Sequence, residues 1–249
     1  MDKELPQAGP WIKGAYALVT ADILLWGGAT AAYLIIAMMV SYLPFVGDVL
    51  LVLFTPVVVA GILRDAARPG MAGDYPRRVR DIFIGALRDR ALALPVMSVA
   101  TILLGAWVFL TVLAMIFGID GLSLGQMFAY RDLLGRLFTG LLLLIFWGLQ
   151  VALVITTLYV LAAIVLTDAH PLEALENTLA LWRERPLALT TLGAAFVLPL
   201  IVAFYQGPWI RALVAVVTLV PLTLAVYLSY GPLKASGALY DAPLARKGL

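Results

Sequence analysis

The chain has 249 residues, of which 63% are hydrophobic and 13% charged, with a formal net charge of +2. Soluble domains run at about 45–50% apolar and about 25% charged, so this composition excludes a soluble globular protein and predicts an all-α, polytopic membrane helix bundle forming a single integral membrane domain over 1–249. The lack of cysteine and the single histidine, His170, exclude thiolate nucleophiles, disulfides and multi-ligand Cys/His metal sites. So small a net charge also argues against nucleic acid as a partner.

The mixed-charge start Met1-Asp2-Lys3-Glu4 is unlike a signal peptide, and the first span is expected to be retained. Trp11 to Trp26 holds Lys13 and Asp22 among apolar residues, and Gly27-Gly28 then leads into a cleaner run ending near Tyr42. Two readings fit. One long tilted helix could run from about Gly14 to Tyr42, or an interfacial helix to about Trp26 could precede a shorter span; the headgroup character of Trp11, Lys13, Asp22 and Trp26 favours the second. Leu43-Pro44-Phe45-Val46-Gly47-Asp48 predicts a tight turn in which Asp48 caps the next helix.

Span two is predicted over about 49–63, with Pro56 inside it. Seven arginines follow between Arg64 and Arg90, with Pro69, Gly70 and Gly73 marking a loop. Val79, Ile82, Phe83, Ala86 and Leu87 then recur at helical spacing opposite Arg78, Asp81, Gly85 and Arg88, which predicts a short amphipathic helix on the membrane surface. Span three covers about 91–117 and span four about 137–166, separated by a loop containing Asp120, Gly121, Gly125, Arg131 and Asp132. Asp168-Ala169-His170-Pro171 is a helix-start signature with Glu173 in the first turn. Leu172, Leu175, Leu179 and Trp182 predict the apolar stripe of a second surface helix, with Glu173, Glu176, Asn177 and Arg183 opposite. Span five runs from about Pro186 to Tyr205. Span six covers about Trp209 to Tyr230, where Gly231-Pro232 should end it and release a basic tail. At about 20 residues each, six spans leave room only for short loops.

Arg88-Asp89-Arg90-Ala91-Leu92-Ala93-Leu94 returns ninety-five positions later as Arg183-Glu184-Arg185-Pro186-Leu187-Ala188-Leu189, with Pro76 falling on Pro171 and Asp81 on Glu176. Six residues between 76 and 94 are identical at this offset and two more exchange acid for acid, which reads as an internal parallel duplication of 47–117 and 142–206. Positive-inside selection alone could also place Arg-x-Arg at both sites. With six spans, fourteen Lys and Arg fall on the side of both termini and three on the other, so both termini are expected to be cytoplasmic.

The candidate site residues form two groups. Arg77, Arg78, Arg80, Arg88, Arg90, Arg183 and Arg185 are candidate contacts for anionic lipid headgroups, each nearby cation contributing about 1 kcal/mol. Asp22, Gln150, Thr156 and Thr157 are candidate intramembrane polar groups; Asp22 would cost about 2.5–3.5 kcal/mol at mid-membrane and much less at the interface, while the other three suit bonds across helices. His170 beside Asp168 suits turn and capping chemistry rather than acid–base work.

The stretch Asp168-Ala169-His170-Pro171-Leu172-Glu173-Ala174-Leu175-Glu176-Asn177-Thr178-Leu179 resembles the Pro-x-Glu-Ala-Leu surface helix of bacterial families related to the membrane domain of glycerophosphoryl diester phosphodiesterase. The Leu43-Pro44-Phe45-Val46-Gly47 turn with Pro56, Gly61 and the Arg-rich loop resembles a family of uncharacterised proteobacterial six-helix inner-membrane proteins. The resemblance implies a six-helix bundle in the bacterial cell inner membrane with two cytoplasmic surface helices. It carries over no activity, because the fused phosphodiesterase domain is lacking. Neither catalytic nor cofactor-binding nor metal-binding residues are expected. The leading reading is a non-catalytic protein acting through membrane lipids or another membrane protein, as an accessory subunit for example; the alternative is a small transporter or lipid-translocating protein with a path between the repeats.

Overall fold

The computed structural model describes residues 8–43, 46–68, 74–116, 133–204 and 208–235, and every element among them is an α-helix. In chain order these are α1 (Ala8–Ala21), α2 (Ile23–Ser41), α3 (Val46–Ala66), α4 (Tyr75–Arg88), α5 (Arg90–Ile116), α6 (Leu133–Thr167), α7 (Pro171–Glu184), α8 (Pro186–Phe204) and α9 (Pro208–Ala235). Four of them, α2, α3, α5 and α6, are long and apolar enough to cross a bilayer, which makes this a membrane protein. In α8 and α9 the described apolar stretches are shorter, Pro186–Phe196 and Val217–Gly231. The predicted turn at Pro44-Phe45 and the loop carrying Arg131 lie outside the described residues, as does the tail with Arg246 and Lys247.

Three helices form the centre. Helix α3 touches α2, α4, α5, α6 and α9, while α9 also packs against α1, α2, α6 and α8. Residues Val57–Leu63, Leu158–Ile164 and Val220–Val226 are buried on every side, as expected of helix segments with no polar face. Inside lipid such segments are held by close packing and internal hydrogen bonds rather than by escape from water. At Gly61 this packing reaches its limit: a Cβ there would lie 1.9 Å from the Ile82 carbonyl oxygen and 2.7 Å from its Cα. Only glycine lets α4 rest on α3 at that point. Away from this core α5 and α6 continue as a pair, with Ala114 and Leu143 between them beside Phe146 and Trp147. Ile102, Phe109, Leu144 and Ile145 on this pair are left outward.

Several expected boundaries move. The N-terminal segment is two helices, but the break falls at Asp22 and the helix runs unbroken through Gly27-Gly28. Glycine tolerates a helix interior at a cost of about 1 kcal/mol, and a Cβ at Gly28 would meet Val79 of α4 only at an ordinary contact distance of 3.6 Å. Helix α3 starts at Val46, so Asp48 belongs to its first turn and is not the cap. Helix α9 passes through Gly231-Pro232 to Ala235 instead of ending there.

The two surface-helix stripes also need correction. On α4 the buried residues are Ile82, Phe83 and Ala86; Leu87 is exposed and Arg78 turns inward. On α7 the buried face is Ala174, Thr178 and Leu181, whereas Leu172 is 65% and Leu179 47% exposed. Ala174 and Thr178 take the tight face together with Leu181; of the predicted stripe, Leu175 and Trp182 are half-buried against the core while Leu172 and Leu179 face outward. Both charged knots stand at one-residue joints: Asp89 separates α4 from α5, and Arg185 separates α7 from α8.

Candidate anion-binding site

Arg64 and Asp65 end α3 side by side, yet reach opposite ways along α4. Asp65, only 6% exposed, takes a two-point bond from Arg78, with Nη2 at 2.7 Å from Oδ2 and Nε at 3.3 Å from Oδ1. Arg78 also donates from Nη1 to Asp22 at 3.1 Å. One guanidinium thus clasps the α1–α2 break, the end of α3 and the first half of α4. Planar, two-pronged donation is what arginine supplies and lysine does not. The bond to Asp65 holds the Arg78 guanidinium above its ordinary pKa, so it stays charged.

Arg64 serves the other end of α4. It donates to the Gly85 carbonyl at 3.2 Å and to Asp89 Oδ2 at 2.8 Å, while Asp89 Oδ1 accepts from the Ala91 backbone N–H at 3.1 Å. Helix α4 therefore lies across the end of α3, tied near both ends with Gly61 beneath its middle.

On the outer side of that crossing is an open hollow of about 500 Å³ lined by Arg64, Arg77, Arg80, Asp81, Gly85, Arg88, Asp89 and Arg90. Five guanidiniums face two carboxylates, leaving three positive charges in excess. Arg64 is tied to Asp89, and Arg80 is loosely paired with Asp81 at 3.7 Å. Arg77, Arg88 and Arg90 are exposed and form no ion pair among the described residues. Clustered, uncompensated guanidiniums in a concave site attract phosphate and carboxylate anions.

The structure thus brings Arg77, Arg80, Arg88 and Arg90 together and parts them from the other three candidates. Arg78 is used in the clasp, and Arg183 and Arg185 stand at the α7–α8 joint. Arg64 was not anticipated; its role depends on α4 crossing α3, which no local pattern encodes. Asp22 is the residue before α2 and pairs with Arg78. Thr156 Oγ1 accepts from Trp182 Nε1 at 2.9 Å, Thr157 Oγ1 donates to the Leu153 carbonyl at 2.8 Å, and Gln150 is half-buried. His170 is the N-cap of α7, its Nδ1 accepting from the Leu172 N–H at 3.4 Å.

Contrary to the expectation that the chain holds no G-x-S-x-G pattern, Gly121-Leu122-Ser123-Leu124-Gly125 has that spacing; it lies outside the described residues. That spacing makes a nucleophile only on a strand-to-helix turn with acid and histidine partners; its sequence neighbours α5 and α6 are both helices. No group of His, Asp and Glu among the described residues is arranged to hold a metal ion. No family model, curated protein or solved structure matches the chain.

Proposed function

We propose that this is a non-catalytic, multi-pass inner-membrane protein that holds anionic phospholipid headgroups in the arginine hollow between α3, α4 and the start of α5. The observation that carries the reading is the convergence of five arginines from three helices on one open concavity, three of them without an ion pair among the described residues. Basic pockets at the cytoplasmic ends of membrane helices are a recurrent form of headgroup recognition. The bias of Lys and Arg along the chain supports a cytoplasmic hollow with both termini on the same side.

In this reading α8 and α9 join the four long spans to give six. The helix–surface helix–helix units α3–α4–α5 and α6–α7–α8 descend from one duplicated segment, in keeping with the six-helix proteobacterial family that the sequence resembles. Only the first unit kept the site: at the ninety-five-residue offset Tyr159 stands for Arg64, Leu172 for Arg77 and Leu175 for Arg80. Of the polar groups that a translocation path would use, Gln150, Thr156 and Thr157, the two threonines are engaged in bonds within and between helices, which favours binding over transport. An accessory role beside another membrane protein is compatible with a lipid-holding subunit.

The test is retention of anionic lipid through purification in a neutral detergent, read by native mass spectrometry. Changing Arg77, Arg80, Arg88 and Arg90 to Gln should strip phosphatidylglycerol and diphosphatidylglycerol from the protein. Equal retention by parent and variant would reject the proposal. Arg78 is left intact so that folding is not confounded.

A further inference from the structure

Resting on the headgroup reading, we infer that the phospholipid in the hollow lays an acyl chain along the outward face of α5. Arg88 and Arg90 hold its phosphate, and Leu94, Met97, Ser98, Thr101 and Ile102 seat the chain. The hollow and this face meet at one residue: Arg90 lines the hollow and is also the first residue of α5. Arg90, Leu94, Met97 and Thr101 follow one another at spacings of four, three and four, which sets them on one side of the helix, with Ser98 and Ile102 beside them. All six are exposed, Leu94 at 77%. At about 1.5 Å of rise per residue Thr101 is about 16 Å along the axis from Arg90, close to the depth of one leaflet, half of about 30 Å of hydrocarbon. A phosphate held at the first turn therefore has its chain beside the turns below.

The face suits hydrocarbon along that whole depth. Ser98 Oγ donates to the Leu94 carbonyl and Thr101 Oγ1 to the Met97 carbonyl, both at 2.9 Å, so the two hydroxyls are turned back on their own helix and need no polar partner from lipid. At the ninety-five-residue offset the matching positions of α8 are covered by protein: Leu189, Leu192 and Phe196 are buried, and Phe196 stacks on Tyr16 of α1. In α5 the same positions are left open.

A second copy of the chain is the rival occupant. Two copies meeting symmetrically on this face, the commonest form of self-association, would bring Arg90 of one beside Arg90 of the other and set both hollows, each with three positive charges in excess, at one rim. Like charges oppose that contact. An anionic lipid instead supplies the missing negative charge and the hydrocarbon in one molecule.

The chain contains no cysteine, so a single reactive thiol can report on one place. Ser98→Cys, labelled with bimane, reads the proposed seat. Gly148→Cys, outward on α6 where a Cβ would meet nothing within 4 Å, is the comparison. Each full chain is placed in phosphatidylcholine vesicles, and quenching is measured with phosphatidylglycerol or phosphatidylcholine brominated at mid-chain. Brominated phosphatidylglycerol should be preferred by about tenfold at the Ser98→Cys label and by no more than about twofold at the Gly148→Cys label. Adding Arg88→Gln/Arg90→Gln, which leaves the Arg78 clasp intact, should lower the preference at the first label to that at the second. Water-soluble glycerophosphoglycerol at equal concentration should not relieve the quenching.

Equal preference at the two labels, with phosphatidylglycerol still retained through purification in an arginine-dependent way, would overturn the chain seat and leave the headgroup reading standing. Relief by glycerophosphoglycerol would also overturn it, because the chain would then add nothing. So would near-complete disulfide-linked dimerisation of unlabelled Ser98→Cys in vesicles, which would give the face to a second copy. Loss of both the preference and the arginine-dependent retention would bring down the headgroup reading itself.

Discussion

Replacing Arg78 with Gln should cost far more than its position on a surface helix suggests. The side chain of Arg78 is 15% exposed, and its main partner Asp65 is 6% exposed, whereas Asp22 keeps 28% of its side chain open. Removing one member of a buried pair strands the other charge and costs about 3–5 kcal/mol. Removing the partner at an exposed position costs about 0–1 kcal/mol. Asp65 lies near the first kind and Asp22 near the second. Arg78→Gln should therefore destabilise the protein by about 3–5 kcal/mol, while Asp22→Asn should cost about 1 kcal/mol or less. For a chain of this size about 2–4 °C of melting temperature corresponds to 1 kcal/mol, so the first variant should melt about 6–20 °C lower. Pairing Arg78→Gln with Asp65→Asn should recover much of the loss, because no carboxylate is then left alone in the interior. The assay is thermal unfolding in detergent, followed by tryptophan fluorescence and loss of the monodisperse peak on gel filtration. A melting temperature of Arg78→Gln within about 1 °C of the parent would refute the clasp, and so would an Asp22→Asn variant as damaged as Arg78→Gln.

Three glycines should respond to alanine in different ways, measured by the same melting assay. Gly61→Ala drives a methyl into the Ile82 backbone, 1.9 Å from its oxygen, and should cost at least about 1–3 kcal/mol even after the helix-propensity gain. Gly193→Ala meets the Val151 side chain at 2.5 Å and should cost less, since a side chain gives way more readily than a crossing backbone. Gly85→Ala meets nothing closer than 3.7 Å and should stabilise by about 0.5–1 kcal/mol; if the order of these three were reversed, the tight α3–α4 crossing would be wrong. Tyr159→Phe removes the buried bond to Ser229 Oγ but leaves Ser229 donating to the Val226 carbonyl, so a loss of only about 0.5–1.5 kcal/mol is expected. Trp182→Phe breaks the 2.9 Å bond to Thr156 and should loosen α7 from α6, seen as faster amide exchange over Pro171–Glu184 with little change in α4.

Composition and periodicity were enough to read this chain as an α-helical membrane protein and to place most of its helices within a few residues, because apolar length is itself the physical requirement for crossing lipid. The two short amphipathic helices and their Arg-rich ends were legible for a related reason: charge must stop where hydrocarbon begins. Which way α4 turns was largely legible, since Ile82, Phe83 and Ala86 of its predicted stripe are buried, but the face of α7 was legible only in part. Of the stripe Leu172, Leu175, Leu179 and Trp182, the second and fourth pack against the core and the other two face outward; in a membrane protein an outward leucine meets lipid without penalty, so hydrophobicity no longer marks the inner face. What decides it is fit, and the smaller Ala174 and Thr178 allow closer approach. The same holds for charge. Sequence grouped Arg77, Arg78 and Arg80 as equals, and only the crossing of α4 over Gly61 sends Arg78 inward to Asp65 and Asp22 while Arg77 and Arg80 line the hollow. Arg64 joins them from another helix because a glycine one turn earlier lets two backbones meet. Such a contact is a property of three-dimensional packing, and no spacing along the chain contains it.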